Sequence, residues 1–482
     1  MTGFNSTHLN ESSDFEDVLT IISDFKNGRQ EDLLDVSGIW QTSSIWSSMP
    51  QVGKNLKNVL SEFQKDFLAF SPNPTALNQL ALPYKGDSVP GLIGELLAAG
   101  IHQNLVDYRW SPAATAMDFL IIKWFRELIG YRTVESPSSL LEFGGLITAS
   151  GTTSNASALM IAREKKTPGA FAKGITNPEV CGVIVPEHLY HYGIRLALGW
   201  LGCGMRVIPV PIRDFKYDLV HLERTLKKHK SGVMAVIAFA GDSRTLTVDN
   251  LKKVYQIVKS IDESIWLHCD AAHGISLAFS SSSKNKLIGV ECFDSIVVDA
   301  HKALGLPFGC SMLLTKELSV LGLLAEFPLK DGDYSTGLIT PFMSSRSWLS
   351  LKVWFHLSTY GIIAIGEKFD RCLDIAEWFS GELSRTPGFV VIHTGDIPSV
   401  LFLYKGEADC LHTNTLSAIS ISIAMRLKST YQLFTVSIPC PTSLVKGDET
   451  VTALRIVISS DKITKQYLIE FIENLKRAAN EK

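Results

Sequence analysis

Between residues 140 and 320, short apolar runs alternate with stretches that have the spacing of amphipathic helices. The apolar runs are rich in β-branched residues and have the sequences CGVIVP, MRVIPVP, VMAVIAFA, IWLHCDAA, DSIVVDAHK and CSMLLTK. Strands that alternate with helices in this way form a mainly parallel sheet in an α/β domain. The ligand crevice of such a domain lies outside the carboxyl ends of its strands, so polar residues that follow these runs are candidates for function.

Two flanking segments lack this alternation. Residues 1–70 are a polar leader followed by an amphipathic stretch, and the prolines of Ser71-Pro-Asn-Pro74 end that pattern. Beyond residue 330, a long helical stretch, a few β-like runs and a terminal amphipathic helix indicate a smaller α+β unit. We therefore expect an N-terminal helical segment at 1–70, a large domain at 71–330 and a small C-terminal domain at 331–482.

Charge and composition limit the partners of this chain. The formal net charge of −3 gives no basic surface for nucleic acid, and no window reaches the ~18 consecutive apolar residues of a membrane span. The N-terminus lacks the regions of a signal peptide, and the eight scattered cysteines include no C-x-x-C pair. These features predict a cytoplasmic enzyme with reduced thiols that acts on a small molecule and needs no metal.

A lysine follows one of the apolar strands, because Asp299-Ala-His-Lys302 comes directly after Ser295-Ile-Val-Val298. Such a lysine is commonly a snorkelling or salt-bridged side chain. A low-dielectric site also keeps a lysine amine available for attack on a carbonyl. Lys302 is therefore a candidate Schiff-base lysine.

A carboxylate ends another strand, at Trp266-Leu-His-Cys-Asp270. Catalysis by pyridoxal 5′-phosphate (PLP) requires an acidic residue beside the pyridine nitrogen, because the protonated ring accepts the electrons that a broken α-bond releases. The structural alternative is a helix N-cap or a turn aspartate. Asp270 is therefore a candidate partner of a PLP ring.

Small residues and hydroxyls precede a helical run in Thr148-Ala-Ser-Gly-Thr152-Thr-Ser-Asn155. A helix N-terminus of this kind presents N–H and O–H donors to a phosphate, although an ordinary capped helix has the same composition. The spacing matches neither the Walker A motif nor G-x-G-x-x-G. His191, near the start of the helix after CGVIVP, is a candidate for stacking on a cofactor ring.

These four elements, in this order, resemble the group II PLP-dependent amino-acid decarboxylases, such as glutamate, cysteine-sulfinate, aromatic amino-acid and histidine decarboxylases. The similarity is most specific in HCDAAHG and DAHKALGLPFGCSMLL. It implies a PLP fold-type I homodimer, like aspartate aminotransferase, with an amino-acid substrate bound near the subunit interface. The roles that it implies are a Schiff base at Lys302 with His301 beside it, the ring nitrogen at Asp270, the ring faces at Ala272 and His191, and the phosphate at Gly151 and Thr152.

Two further stretches resemble the glutamate-decarboxylase branch. Leu77-Asn-Gln-Leu80 places Gln79 at the position of a substrate-binding glutamine, and Leu454-Arg-Ile-Val-Ile-Ser459 places Arg455 at that of a substrate-binding arginine. An arginine grips a carboxylate in a bidentate fork, although a strand arginine is also commonly a surface ion pair. The resemblance thus favours an acidic or short polar amino acid.

Two segments depart from the family pattern. Ala240-Gly-Asp-Ser243 replaces the usual Ala-Gly-Thr-Thr, which puts a carboxylate beside the cofactor region and leaves Ser243 as the remaining hydroxyl for cofactor contacts. Asp299-Ala300 replaces the usual Asn-Pro before His-Lys.

The mobile loop also differs. In the family a loop tyrosine protonates the α-carbon after CO₂ leaves. Tyr334 takes that place if the loop is anchored as in the glutamate branch, and Phe342 takes it if the loop is aligned on the aromatic branch. Both alignments stay open.

The resemblance implies α-decarboxylation of an L-amino acid to CO₂ and a primary amine. A loop without a proton donor would instead let O₂ intercept the carbanion, with an aldehyde, ammonia and peroxide as products. A homologue that has lost catalysis is the third alternative, and the intact Lys302, Asp270 and His191 argue against it.

Overall fold

The computed structural model describes residues 11–27, 39, 41, 46–408, 411–439, 445–446 and 450–481. The α-helices in these residues are α1 (Glu11–Asn27), α2 (Leu56–Asp66), α3 (Val89–Ile101), α4 (Pro112–Leu128), α5 (Gly151–Lys166), α6 (Ala170–Lys173), α7 (Gly193–Trp200), α8 (Leu219–His229), α9 (Leu251–Ile261), α10 (Ala300–Ala303), α11 (Ser350–Arg385), α12 (Thr413–Arg426) and α13 (Lys465–Asn480). The strands are β1 (Gly145–Thr148), β2 (Gly182–Pro186), β3 (Val207–Val210), β4 (Ile212–Arg213), β5 (Lys216–Tyr217), β6 (Val233–Phe239), β7 (Trp266–Asp270), β8 (Ser295–Val298), β9 (Ser311–Thr315), β10 (Phe389–Thr394), β11 (Ser399–Tyr404), β12 (Leu411–His412), β13 (Phe434–Pro439), β14 (Val445–Lys446) and β15 (Thr450–Val457).

A seven-stranded sheet forms the centre of the molecule, in the order β1-β9-β8-β7-β6-β2-β3. The strands from β3 to β8 in this order are parallel, and β9 is antiparallel to both of its neighbours. Every residue of β6, β7 and β8 is buried, which is why these strands read as continuous apolar runs. The sheet confirms the predicted α/β class.

Helix α5 is packed inside this unit, since every residue from Ser154 to Glu164 is buried. The helix contacts β1, β6, β7, β8 and β9. Because β1 points the same way as β8, α5 begins at the carboxyl edge of the sheet. The N-terminus of α5 therefore lies at the edge where an α/β sheet binds its ligands.

The C-terminal part contains a four-stranded antiparallel sheet, in the order β10-β11-β15-β13. Its core includes the fully buried rings of Phe379, Phe402 and Phe471. Helix α11 contacts both this sheet and the helices α3 and α4, and it bends at Gly361, where φ is +70°. A small α+β unit is thus confirmed, while the boundaries at residues 70 and 330 stay predictions.

Six cysteines of the described residues are free, and five of these are buried. Cys410 and Cys440 lie outside the described residues. No helix in the described part of the chain is long and apolar enough to cross a membrane.

Candidate active site

A cavity of about 210 Å³ lies where the carboxyl ends of β6, β7 and β8 meet the N-terminus of α5. Eight of the eleven site residues predicted from the sequence line it. They are Gly151, Thr152, His191, Ser243, Asp270, Ala272, His301 and Lys302.

Lys302 lies on the short helix α10 and points at a carboxylate one turn earlier. Its Nζ is 2.8 Å from Oδ2 of Asp299, which is almost completely buried. Burial opposes a charge on Lys302, but the carboxylates of Asp299 and Asp270 outweigh it and raise the pKa of Lys302 above its usual value. The amine is therefore held in place as an ammonium group until a ligand competes for it.

Asp270 ends β7 at the other side of the cavity. Its Oδ1 accepts a hydrogen bond from the backbone N–H of Ala272 at 3.1 Å, and its Oδ2 accepts one from Nδ2 of Asn155 at 3.0 Å. Burial raises the pKa of Asp270, and the charge of Lys302 opposes this rise. The side chain thus presents a buried, hydrogen-bonded carboxyl group to the cavity.

The N-terminus of α5 forms a third wall. The side chain of Ser150 caps the helix and accepts a hydrogen bond from the backbone N–H of Thr152 at 3.2 Å. A Cβ atom at Gly151 would lie 2.7 Å from both carboxylate oxygens of Asp299, so a side chain there is excluded. Small residues are required because the helix end and Asp299 approach so closely.

Three histidines line the cavity, and two of them, His191 and His301, are predicted site residues. Nδ1 of His191 accepts a hydrogen bond from the backbone N–H of Gly193 at 3.1 Å, and burial lowers the pKa of His191. Nδ1 of His301 lies 2.7 Å from the carbonyl oxygen of Cys310, and burial also lowers the pKa of His301. Both rings are therefore fixed by backbone contacts and favoured in the neutral form.

Three predicted site residues do not line this cavity. Oε1 of Gln79 accepts from the backbone N–H of Ala81 at 3.3 Å. Arg455 is buried behind the cavity and donates to the carbonyl oxygen of Ser243 at 2.7 Å. The hydroxyl of Tyr334 donates to the carbonyl oxygen of Pro137 at 3.0 Å. The substrate and proton-transfer roles of Gln79, Arg455 and Tyr334 stay predictions.

The loop alternative Phe342 is 36% exposed, and its ring centroid lies 5.9 Å from that of Trp200. Phe342 does not line the cavity of its own chain.

The carboxylate of Asp242 turns away from the cavity. It accepts hydrogen bonds from the backbone N–H groups of Arg244 and Thr245 at 2.8 Å and of Thr247 at 3.1 Å. It therefore organises its own turn, and its neighbours Gly241 and Ser243 line the cavity instead.

Asp299 and Asn155 line the cavity but were not among the predicted site residues. Asp299 could have been found from its spacing, because a residue three positions before Lys302 lies one helical turn away. Asn155 offered no such signal, since its partner Asp270 is 115 residues distant in the chain.

A larger cavity of about 460 Å³ adjoins the first, and His273 and Lys302 line both. Its walls include the buried Lys85, whose Nζ donates to the carbonyl oxygens of Ala76 and Gln79. A molecule attached at Lys302 therefore has room on both sides.

The polar groups around the smaller cavity have the chemistry that PLP requires. An amine, a buried carboxyl group and a helix N-terminus face one space, and these groups suit an aldehyde, a ring nitrogen and a phosphate. Oδ1 of Asp299, which is buried beside Gly151, has no hydrogen-bond partner among the described residues.

Comparison with known proteins finds a matching family model and similar folds. The model of the pyridoxal-dependent decarboxylase conserved domain matches residues 45–405. The structure of mouse CSAD is similar with a TM-score of 0.84 and 18% sequence identity, over 97% of this chain and 98% of that chain. Oryza sativa TDC with PLP and tryptamine has a TM-score of 0.85 at 19% identity, over 99% of each chain. Rhodiola rosea 4-hydroxyphenylacetaldehyde synthase has a TM-score of 0.81 at 19% identity, over 97% of each chain.

Proposed function

The chain belongs to the pyridoxal-dependent decarboxylase family and is a PLP-dependent carboxy-lyase, and we propose that Lys302 is the residue that binds its cofactor. The reaction removes the α-carboxyl group of an L-amino acid as CO₂ and leaves a primary amine. The observation that carries the assignment of Lys302 is the single cavity in which this amine, Asp270 and the N-terminus of α5 meet.

The residues of each cavity wall have a role in this reaction. When bound, PLP supplies a ring that accepts the electron pair of the broken Cα–CO₂ bond. Lys302 would hold the aldehyde end of the cofactor through Nζ. Asp270 holds a proton at the ring nitrogen, and the N–H and O–H groups of Gly151 and Thr152 bind the phosphate.

The faces of the ring need apolar and aromatic contacts. We assign them to His191 on one side and Ala272 on the other, because both line the cavity beside Asp270. Ser243 and His301 complete the wall around the cofactor. Their contacts exclude water from the reacting bond.

An acidic or short polar amino acid remains our proposal for the substrate. Arg455 donates to the carbonyl oxygen of Ser243, so its guanidinium lies directly behind the cavity wall. The buried Lys85 lines the larger cavity, where a carboxylate would find a cation, and it donates to the backbone carbonyl oxygen of Gln79.

We also propose that the protein is a homodimer. Apolar side chains recur along one face of α3, where Val89, Ile93, Leu97 and Ile101 are 60%, 45%, 42% and 50% exposed. An exposed apolar face of this kind marks a protein interface, and a second copy of the chain covers it in a twofold dimer. Neither Tyr334 nor Phe342 lines the cavity of its own chain, which supports a loop that acts across the interface.

Mass measurement in solution tests the dimer. Leu97→Glu is expected to yield monomers, whereas Ile469→Glu on α13, where Ile469 is 43% exposed, is expected to stay dimeric. Monomeric wild-type protein would contradict the proposal.

A cytoplasmic location is proposed as well, because the free and mostly buried thiols suit a reducing compartment.

The oxidative route to an aldehyde is a second candidate. Its support is that the hydroxyl of Tyr334 is hydrogen bonded to Pro137 and that the alternative loop residue Phe342 has no proton to give. The fold neighbour from Rhodiola rosea is itself named as an aldehyde synthase. Peroxide and ammonia assays alongside CO₂ release separate the two outcomes, because only the oxidative route forms peroxide.

Spectroscopy and a substrate screen test the main proposal. Purified protein is expected to bind one PLP per chain with a visible absorbance band, and Lys302→Ala is expected to lose that band and at least ~1,000-fold in activity. CO₂ release is then measured across the amino acids. A Lys302→Ala variant that keeps the band and the activity would overturn the assignment of Lys302.

A further inference from the structure

Five buried side chains beneath the cavity are joined by four consecutive hydrogen bonds that end at Asp270. Nε1 of Trp266 donates to Oγ of Ser295 at 2.8 Å, and this oxygen lies 2.7 Å from Nδ1 of His268. Nε2 of His268 lies 2.7 Å from Oδ1 of Asn155, whose Nδ2 is 3.0 Å from Oδ2 of Asp270. We call these residues, without Asp270 itself, the Asp270 chain.

The direction of every bond follows from its two ends. An indole N–H only donates, and Asp270 only accepts when it is ionised. Asn155 must therefore turn its amide nitrogen to Asp270 and its oxygen to His268, which requires the proton of His268 to be on Nε2. Nδ1 then accepts from the hydroxyl of Ser295, whose oxygen accepts from Trp266.

A single neutral form of the imidazole is consistent with its surroundings. His268 is completely buried, and burial lowers the pKa of His268 to about 3. Near neutral pH the ring therefore carries one proton, which is the number that the Asp270 chain requires. All four donors then point toward Asp270, and aligned hydrogen bonds of this kind strengthen one another in a low dielectric.

Several charges act on Asp270 from other elements. Lys302 on α10 favours the ionised carboxylate, as His191 before α7 does only when it is protonated, and Asp299 before α10 disfavours it. Burial, the largest influence, raises the pKa of Asp270 and favours the neutral form. Hydrogen bonds donated to a carboxylate stabilise its charged form, so the contribution of Asn155 opposes burial.

We propose that the Asp270 chain keeps Asp270 ionised and aimed at the cavity, and thereby keeps a proton on the ring nitrogen of bound PLP. Asn155, His268 and Ser295 are in this view positioning residues, since they act on the cofactor only through Asp270. The proposal rests on the proposed function, because it requires the ring nitrogen to face Asp270.

Two substitutions interrupt the chain at different points. Asn155→Leu, of similar volume, removes the donor to Asp270 itself, and Ser295→Ala removes the donor to His268 two bonds away. Ser154→Ala is the matched control, because Ser154 is also buried and its hydroxyl also has two partners, Thr148 at 2.8 Å and Ser311 at 2.9 Å. Those partners do not lead to Asp270.

The test uses the full-length protein loaded with PLP that carries ¹⁵N in the ring. The ¹⁵N chemical shift reports directly whether the ring nitrogen is protonated, and a fluorescence titration gives the Kd for PLP. We expect the wild type and Ser154→Ala to show the protonated shift. Asn155→Leu should move toward the unprotonated shift and bind PLP about tenfold more weakly, and Ser295→Ala should move the same way by a smaller amount.

The inference is overturned if Ser295→Ala and Asn155→Leu keep the wild-type shift, or if Ser154→Ala changes as much as Ser295→Ala. If Asn155→Leu does not fold, the comparison of Ser295→Ala with Ser154→Ala is sufficient to decide. Failure of the proposed function is distinct, because the wild type would then bind no PLP or would keep its absorbance band in Lys302→Ala.

Discussion

Two buried carboxylates occupy the two sides of the candidate active site, and their surroundings differ. Asp270 accepts a hydrogen bond on each oxygen, and one of these begins a chain that reaches Trp266 in the core. Asp299 makes an ion pair with Lys302 through Oδ2, while its Oδ1 has no hydrogen-bond partner among the described residues.

These surroundings indicate a different role for each carboxylate. A carboxylate with both oxygens satisfied is held in one charge state and one orientation, as an electrostatic partner of a bound ring must be. A carboxylate with an open oxygen at a helix N-terminus holds Lys302 before the cofactor binds and opposes an anion that arrives there. Substitutions at Asp270 and Asp299 should therefore have opposite effects on PLP binding.

Among substitutions that separate the two carboxylates, Asp270→Asn should cause the largest loss of activity. It keeps the shape of the side chain but removes the charge opposite the ring nitrogen, so kcat should fall about 10- to 100-fold and the Kd for PLP should rise. Steady-state kinetics and a PLP titration measure both. Unchanged kcat in a variant that is fully loaded with PLP would contradict the role proposed for the charge of Asp270.

Asp299→Asn should have the opposite effect on the Kd for PLP. Removing a negative charge beside Gly151 should lower the Kd for PLP about tenfold, because a phosphate no longer meets a like charge. The same change removes a group that raises the pKa of Lys302, so covalent attachment should begin at lower pH.

Pyridoxal, which has no phosphate, is the control for Asp299→Asn. The effect through Lys302 should appear with both ligands, and the tighter binding should appear with PLP alone. A Kd for PLP that rises in Asp299→Asn, as in Asp270→Asn, would contradict the contrast between the two carboxylates.

Acid should lower the stability of the folded protein through His268, which belongs to the Asp270 chain. The pKa of His268 falls from 6.5 to about 3 on folding, so the unfolded chain binds more protons than the folded protein between these values. The stability contributed by this residue is complete above pH 6.5 and is lost as the pH falls toward 3, by up to about 1.4 kcal/mol per pH unit. Urea unfolding at pH 7, 6 and 5 should show a shallower loss in His268→Gln, and parallel curves for the two proteins would refute this.

Ser150→Ala should have the smallest effect. Loss of an N-cap costs about 1 kcal/mol of stability, and Thr464→Ala at the start of α13 should cost a similar amount. The Kd for PLP should rise only in Ser150→Ala, because only this cap lies at the proposed phosphate site. An equal change of Kd in both variants would show that the α5 terminus has no part in binding.

The sequence predicted the sheet and two residues of the candidate site for one physical reason. Strands buried on both faces read as apolar runs, and the polar residues that end them must meet at one edge of the sheet. Asp270 and Lys302 could be found in this way. The contacts of Asn155 with His268 and of Ser295 with Trp266 could not, because they join elements that are distant in the chain and depend on how α5 packs.

The orientations of residues in loops and in the C-terminal part were the hardest to predict from the sequence. Arg455 was predicted to bind the substrate; its guanidinium donates to the carbonyl oxygens of Ser243 and Arg244, and its role toward the substrate stays a prediction. Asp242 was expected as a carboxylate near the cofactor, and it binds its own turn instead. Such orientations follow from backbone turns that residue types alone do not specify.

Helix α5 touches both sides of the cavity, with Gly151 and Thr152 at its tip and Asn155 one turn further along. Three residues of helix advance about 4.5 Å, and a helix buried over most of its length does not slide or stretch. The helix therefore fixes the distance between its N-terminal tip and Asn155. In the proposed binding mode, a molecule is accepted only when its anionic end and its basic ring nitrogen are separated by the distance that this rigid helix sets, and a longer or shorter molecule reaches one end alone.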